Sequence, residues 1–452
     1  GRDLFTAQLQ TTLRQFEEAD NFGSLIRPDV TDVNGMLRIL GSKNVSGQLL
    51  LHEPHKKVLQ ALRQADYLSP KYHVVIANPP YMGGKSMSGR LAAWLKDNYT
   101  DVKSDLFSAF IVRNTELAIP KGQLGFMSPF VWMFIATHEK LRSFLINEKT
   151  ITSLVQLEYS GFDGATVPIC TFTVENDHKP AFKGGYIRLS DFRGSENQGP
   201  RTLEAVNNPN CGWFYRASAG DFEKIPGSPI AYWVSQKVFN IFSNEETLSK
   251  IAPPKIGMRT GDNDRFLRIW HEVSKSDTGF GYQGAETAKT SQKKWFPYNK
   301  GGLFRKWYGN NEFLVNWFND GYEIKENTLE NYPQLSWDNL GWKISNERLY
   351  FNPAITWTAT SSSHFGVRKS KAGFLFDVKG SFCIPDKLSI SVVLGFMASK
   401  QVRFFLKFLN PTIEFQPRDI GNLPISENTI NQRCQELIDD CVTKLLDISE
   451  ID

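Results

Sequence analysis

The side chains best suited to chemistry in this chain stand in one run, Asn78-Pro79-Pro80-Tyr81. An exocyclic amine such as adenine N6 is conjugated into its ring and is a poor nucleophile. A site raises its reactivity by accepting both N–H hydrogens. That draws the nitrogen toward a tetrahedral shape and frees its lone pair for an incoming methyl group. One side-chain amide oxygen and one backbone carbonyl suffice. Asn78 supplies the first and Pro79 the second, and Pro80 helps to stiffen the backbone. Tyr81 offers a flat ring for stacking. A base reaches such a pocket only after leaving its duplex, so this chemistry implies flipping. Alone, the tetrapeptide also serves as a plain turn between a strand and a loop.

The elements that must hold these residues alternate strand and helix. Val74-Val75-Ile76-Ala77 is a short apolar strand ended by the prolines, where open α/β sheets present their ligands. Residues 1–20 and 53–67 read as helices, the first with Leu4, Phe5, Leu9, Leu13 and Phe16 at helical spacing. Residues 104–118 read as a helix capped by Ser104, with Leu106, Phe110, Ile111 and Leu117 on its apolar face. Strands follow at 124–127, 151–157 and 168–174, with a helix at 136–147. This is an α/β pattern with a largely parallel sheet.

Near residue 215 the alternation stops. Trp, Tyr, Phe, Gly and Asn rise, and Lys and Arg appear in small groups. The plan is therefore a helical lead-in at 1–70, a sheet domain at 71–215, an α+β domain at 228–426 and a C-terminal helix at 428–452. Ile430, Leu437, Ile438, Cys441, Leu445 and Leu446 are expected on one face of that helix.

The chain has 452 residues, room for two or three domains. With 41% hydrophobic and 22% charged residues it has an ordinary globular composition, and a net charge of +4 permits a polyanionic partner without demanding one. None of the five cysteines forms a C-x-x-C pair, which favours a reduced, cytoplasmic protein. The seven histidines are scattered, so no metal is expected. No run of about 18 apolar residues occurs, so no membrane span is expected.

Further stretches join the tetrapeptide in a fixed order. They are Lys103-Ser104-Asp105-Leu106-Phe107-Ser108-Ala109-Phe110, Gly122 through Pro129, Leu141-Arg142-Ser143-Phe144-Leu145, and Gly161 through Pro168. In order and spacing they resemble the N6-adenine DNA methyltransferases whose target-recognition domain follows the catalytic domain. Phe22-Gly23-Ser24-Leu25-Ile26 and the A-N-P-P-Y-M-G-G run at 77–84 resemble the BREX phage-defence family PglX, with type IIG restriction–modification enzymes next.

The resemblance implies a Rossmann-like methyltransferase sheet and S-adenosyl-L-methionine as cofactor, with Asp105 and Phe107 lining its pocket. It implies that Phe162 faces the flipped base opposite Tyr81. Its implied partner is double-stranded DNA, with other phage-defence subunits or a phage DNA-mimic inhibitor beside it. The segment Ile256 through Phe266 resembles part of a target-recognition domain, as does Leu409 through Gln416. Arg259, Thr260, Asn263 and Arg265 are its candidate DNA contacts. Lys293, Lys294, Arg368 and Lys369 are added on charge. A glycine turn with solvated charges is the plainer reading of these positions.

One part of the family pattern is missing. No glycine-rich turn after a first strand, and no acidic residue after a second, precedes residue 78. The sequence is therefore expected to hold only the catalytic half of the sheet. Two other readings stay open, a non-catalytic DNA-recognition subunit or fragment with this fold, and a protein-glutamine methyltransferase.

Overall fold

The computed structural model describes residues 2–29, 32–43, 49–159, 161, 167–426 and 432–451. The chain forms two compact units, Gly1–Ser235 and Gln236–Asp452.

The first unit is built on a six-stranded sheet of strands β1 (Tyr72–Ala77), β2 (Ala118–Pro129), β3 (Thr150–Gln156), β4 (Ile169–Glu175), β5 (Gly184–Arg188) and β6 (Phe214–Ala217). Their order across the sheet is β1-β2-β4-β3-β5-β6. β1 runs parallel to β2, with Ala77 opposite Phe126. β4 is reversed and pairs antiparallel with both β2 and β3. The pattern is a mixed Rossmann-like sheet in which β4 and the edge strand β6 run antiparallel to their neighbours, and β1 stands at the other edge.

Leu124, Phe126, Leu154, Phe172, Val174 and Tyr186 point into the core of this unit. Helices Leu106–Leu117 and Glu139–Glu148 cover that side. The other side is lined by Gly125, Ser153, Thr171 and Thr173, whose hydroxyls bond across strands, Ser153 to Thr173 at 2.6 Å. On β1, Val74 is 58% and Ile76 81% exposed.

The lead-in helices Arg2–Gln15, Val33–Gly41 and Leu49–Leu68 have a small core of their own around Phe16, Met36 and Leu62. Arg113 ties them to the sheet domain. Its guanidinium donates to the carbonyls of Ser24 (3.2 Å), Ile26 (3.0 Å) and Leu68 (3.0 Å).

Three sequence expectations are corrected. The 106–117 helix is capped by Asp105, whose side chain accepts from Phe107 N, while the Ser104 hydroxyl is buried without a partner. The first unit runs past 215 to Ser235. Ile230 and Tyr232 enter its core, and Tyr232 stacks on Tyr186 and donates to Gln156 at 2.7 Å. The C-terminal helix, Gln432–Ile451, turns Ile438 and Val442 inward and leaves Leu437 (55%) and Cys441 exposed. Ile430 lies outside the described residues.

The second unit carries a four-stranded sheet (375–376, 295–299, 313–316, 267–269) and a three-stranded sheet (367–370, 354–357, 382–383). Aromatic rings dominate its core, among them Phe296, Tyr298, Trp317, Phe351, Phe376 and Phe382. This is where the Trp, Tyr and Phe of the 228–426 region are spent. Gly257 permits a close approach of two backbones. Met258 N donates to Phe376 O at 2.8 Å and Val378 N to Met258 O at 3.0 Å. A methyl group at Gly257 would overlap the Phe376 carbonyl oxygen. Gly257→Ala is therefore expected to cost about 3 kcal/mol of stability in this unit, as overpacking of a rigid backbone contact does. Denaturant unfolding checks this, and an unchanged midpoint contradicts it.

Candidate active site

The strand β1 delivers Asn78 to its carboxyl end, and the two prolines turn the chain out of the sheet. Asn78 is exposed, Pro79 is buried, and Tyr81 is 39% exposed. The Tyr81 hydroxyl donates to Asn78 Oδ1 at 3.1 Å. An amide oxygen has two lone pairs, so Asn78 keeps one acceptor position open.

The loop after Tyr81 is fastened to the start of the 106–117 helix. Asp105 Oδ1 accepts from Met82 N at 3.2 Å and from Phe107 N at 3.4 Å. Gly84 N donates to Ser104 O at 3.1 Å, and Leu106 N to Met82 O at 3.0 Å. Burial pushes the Asp105 carboxyl above its usual pKa, and the backbone donors pull the other way. The loop sets the Tyr81 ring edge-on to Phe107, with centroids 6.5 Å apart.

Phe107 is 1% exposed, so in this arrangement its ring backs Tyr81 rather than facing a bound molecule. Behind it stands His138, at 5.1 Å between ring centroids. His138 Nδ1 lies 3.1 Å from Ser108 Oγ, and both are buried. Burial, and then the charge of Arg142, push the His138 imidazole down to about 4. Arg142 itself donates to the carbonyls of Trp132 (2.8 Å), Ile135 (2.7 Å) and Gly227 (2.9 Å).

A cleft of about 320 Å³ opens beside the motif, lined by Ile76, Ala77, Asn78, Gly125, Phe126, Met127, Ser153, Thr171, Phe172 and Thr173. Phe162, the expected second stacking ring, lies outside the described residues, as do its neighbours to Thr166. The structure thus brings Asn78, Pro79, Tyr81, Asp105 and Phe107 together. The sequence reading missed Ser108 and His138. They stand 30 positions apart and carry no local signal.

The candidate DNA contacts lie in the second unit. Arg259 donates to Trp342 O at 2.7 Å and lies over that residue's ring. Thr260 is buried and bonds Asn263 at 2.7 Å, and Asn263 also accepts from Lys300 at 3.0 Å. Asn263 borders a polar cleft of about 710 Å³ with Asp262, Asp264, Asn327 and Asn331. Arg265 is exposed, with its guanidinium over Phe266. Lys293 donates to Ser276 O, and Lys294 pairs with Glu323 at 3.6 Å.

Arg368 corrects the charge-based expectation. It is 1% exposed, on a strand flanked by Thr356 and Trp307, so it presents no surface to phosphate. Burial pushes its pKa down to about 10. Lys369 is half-buried beside Asp439, at 3.6 Å. Among the described residues no group of three or more His, Cys, Asp or Glu could hold a metal ion, and no helix is long and apolar enough to cross a membrane.

Residues 12–162 match the Eco57I restriction-modification methylase family. The adenine-specific methyltransferase PglX of Lacticaseibacillus casei (strain Zhang) is 33% identical over 438 residues, which is 94% of this chain and 36% of that protein. The adenine-specific methyltransferase BrxX of Escherichia coli O9:H4 (strain HS) is 32% identical over 453 residues, 98% of this chain and 35% of the relative. This chain is similar to these adenine-specific methyltransferases over nearly its whole length. It spans about a third of the length of these two relatives. The type IIL restriction–modification enzyme MmeI, solved in complex with DNA, shares the fold with a TM-score of 0.53 at 12% identity, over 84% of this chain and 50% of that one.

The buried His138 gives a pH prediction. Its folded pKa lies below its unfolded value, so its contribution is full above about 6.5 and is lost as pH falls through about 4. Between those limits the wild type is expected to lose about 3 kcal/mol more stability than His138→Gln. Urea unfolding at pH 7 and at about pH 4 measures it. Equal losses in the two proteins would contradict a neutral, buried imidazole.

Proposed function

We propose that this chain carries the base-binding side of a site-specific DNA methyltransferase. The complete protein moves a methyl group from S-adenosyl-L-methionine to N6 of a flipped adenine in double-stranded DNA. It works in the cytoplasm, in phage defence or restriction–modification. The observation that carries this reading is the placement of Asn78 at the carboxyl end of a parallel strand, with Tyr81 folded beside it at 3.1 Å. Asn78 Oδ1 and the Pro79 carbonyl accept the two amino hydrogens. The Tyr81 ring, backed by Phe107, stacks on the base and yields its hydrogen bond to Asn78 as the amine enters. Phe162 is the proposed second stacking ring.

The methyl donor brings ribose hydroxyls, a sulfonium and an amino-acid tail, which call for carboxylates and backbone donors. The cleft beside Asn78 is lined by apolar and hydroxyl side chains and by no charged one. Asp105 is half-buried and engaged in capping. The described residues therefore do not fit the donor on their own. We assign its binding to a segment or chain that covers the open edge of β1, where Val74 and Ile76 are exposed. This misfit also favours the second reading, a recognition subunit without catalysis.

Methylation of duplex DNA by the complete protein separates the two. Asn78→Ala is expected to lower the rate by about 100-fold or more with the fold intact, since an oriented acceptor at the reacting atom is worth that much. Tyr81→Phe keeps most of the rate because the ring remains, and Tyr81→Ala does not. DNA binding without methylation supports the recognition subunit. An unimpaired Asn78→Ala enzyme removes Asn78 from the chemistry.

A further inference from the structure

Helix Lys400–Leu409 in the second unit is capped by Ser399, whose side chain accepts from Val402 N at 3.2 Å. Val402, Phe405, Leu406 and Phe408 face the core. The outward face carries Lys400, Arg403 and Lys407, at positions i, i+3 and i+7, with the 41%-exposed Phe404 between them. The same face walls a cleft of about 450 Å³, to which His364, Phe365 and Phe415 also contribute.

Several other cations in this unit are matched with carboxylates. Lys294 pairs with Glu323, Lys325 with Asp320 and Lys379 with Glu414. Among the described residues no carboxylate stands within ion-pair distance of Lys400, Arg403 or Lys407. Lys306 adds to the excess. Burial, and then the charge of Arg403, hold its ammonium below the usual lysine value. An uncompensated cluster of like charges is repulsive, and a bound polyanion relieves it.

The helical stripe from Lys400 to Lys407 rises about 10.5 Å, a length over which duplex DNA carries roughly six phosphate charges. That charge density suits the cluster. Phe404 supplies an apolar contact between the cations, as a sugar edge needs.

We propose that the Lys400–Arg403–Lys407 face, bordered by Lys306 and His364, grips the phosphate backbone of double-stranded DNA without reading its sequence. This rests on the DNA-binding reading above and replaces Arg368 as the backbone contact of this unit. The test is the triple variant Lys400→Gln/Arg403→Gln/Lys407→Gln in the intact protein. Fluorescence anisotropy with several unrelated duplexes between 50 and 200 mM salt gives affinity and its salt dependence. We expect affinity to fall about tenfold or more on every duplex alike, and the log–log salt slope to flatten by roughly three. If the triple variant loses its thermal transition, the three single variants each carry the test, with an expected slope change of roughly one. Unchanged affinity and slope, with duplex binding by the wild type intact, overturn this face alone. A wild type that binds no duplex overturns the DNA reading and this face with it. Loss of polyglutamate binding with duplex affinity unchanged also overturns it, and assigns the face to an acidic protein.

Discussion

The Asp105 carboxylate joins two segments that lie 23 positions apart, the loop after the tetrapeptide and the start of the helix behind it. One oxygen caps the helix and holds Met82 N, and backbone bonds from Gly84 and Leu106 close the seam. Everything about the site follows from that seam. The prolines alone would end the strand and leave Tyr81 on a free loop. With the seam in place, Tyr81 meets Phe107 edge-on and reaches Asn78. Phe107 in turn has no freedom, since it is packed against His138, and Arg142 fixes the turn that carries His138 by three carbonyl bonds.

Much of this is legible in the sequence, because the signals are local. An apolar run ended by two prolines announces β1 and its stop, and alternating helix and strand patterns announce the α/β class. Asp105 itself is harder. Ser104 and Asp105 are both good caps, and only the folding of the 82–84 loop onto the helix start decides between them. Arg368 fails as a surface residue for a related reason. Charge patterning treats every arginine as solvated, but this strand has a neighbour on each side, and its guanidinium is sealed in. In the C-terminal helix the stripes at 437, 441 and 445 and at 438, 442 and 446 are adjacent. The sequence offers both. Packing on helix Ile390–Met397, with Ser391 donating to Asp439 at 2.5 Å, selects the second.

The first unit therefore holds a braced loop after the tetrapeptide and an open edge on β1. A doubly wound sheet is normally covered on both faces, and its strands read as apolar for that reason. Here β1 keeps the apolar composition of a central strand while standing at the sheet edge. The second unit builds its core from aromatic rings and carries Lys400, Arg403 and Lys407 on one helix face.

We propose that these residues form the base half of a methyl-transfer site without its donor half. Calorimetric titration of S-adenosyl-L-methionine into the 452-residue chain tests it most directly. No saturable binding is expected up to millimolar donor. A micromolar dissociation constant would contradict it, because the donor pocket would then have to be built from residues already in this chain.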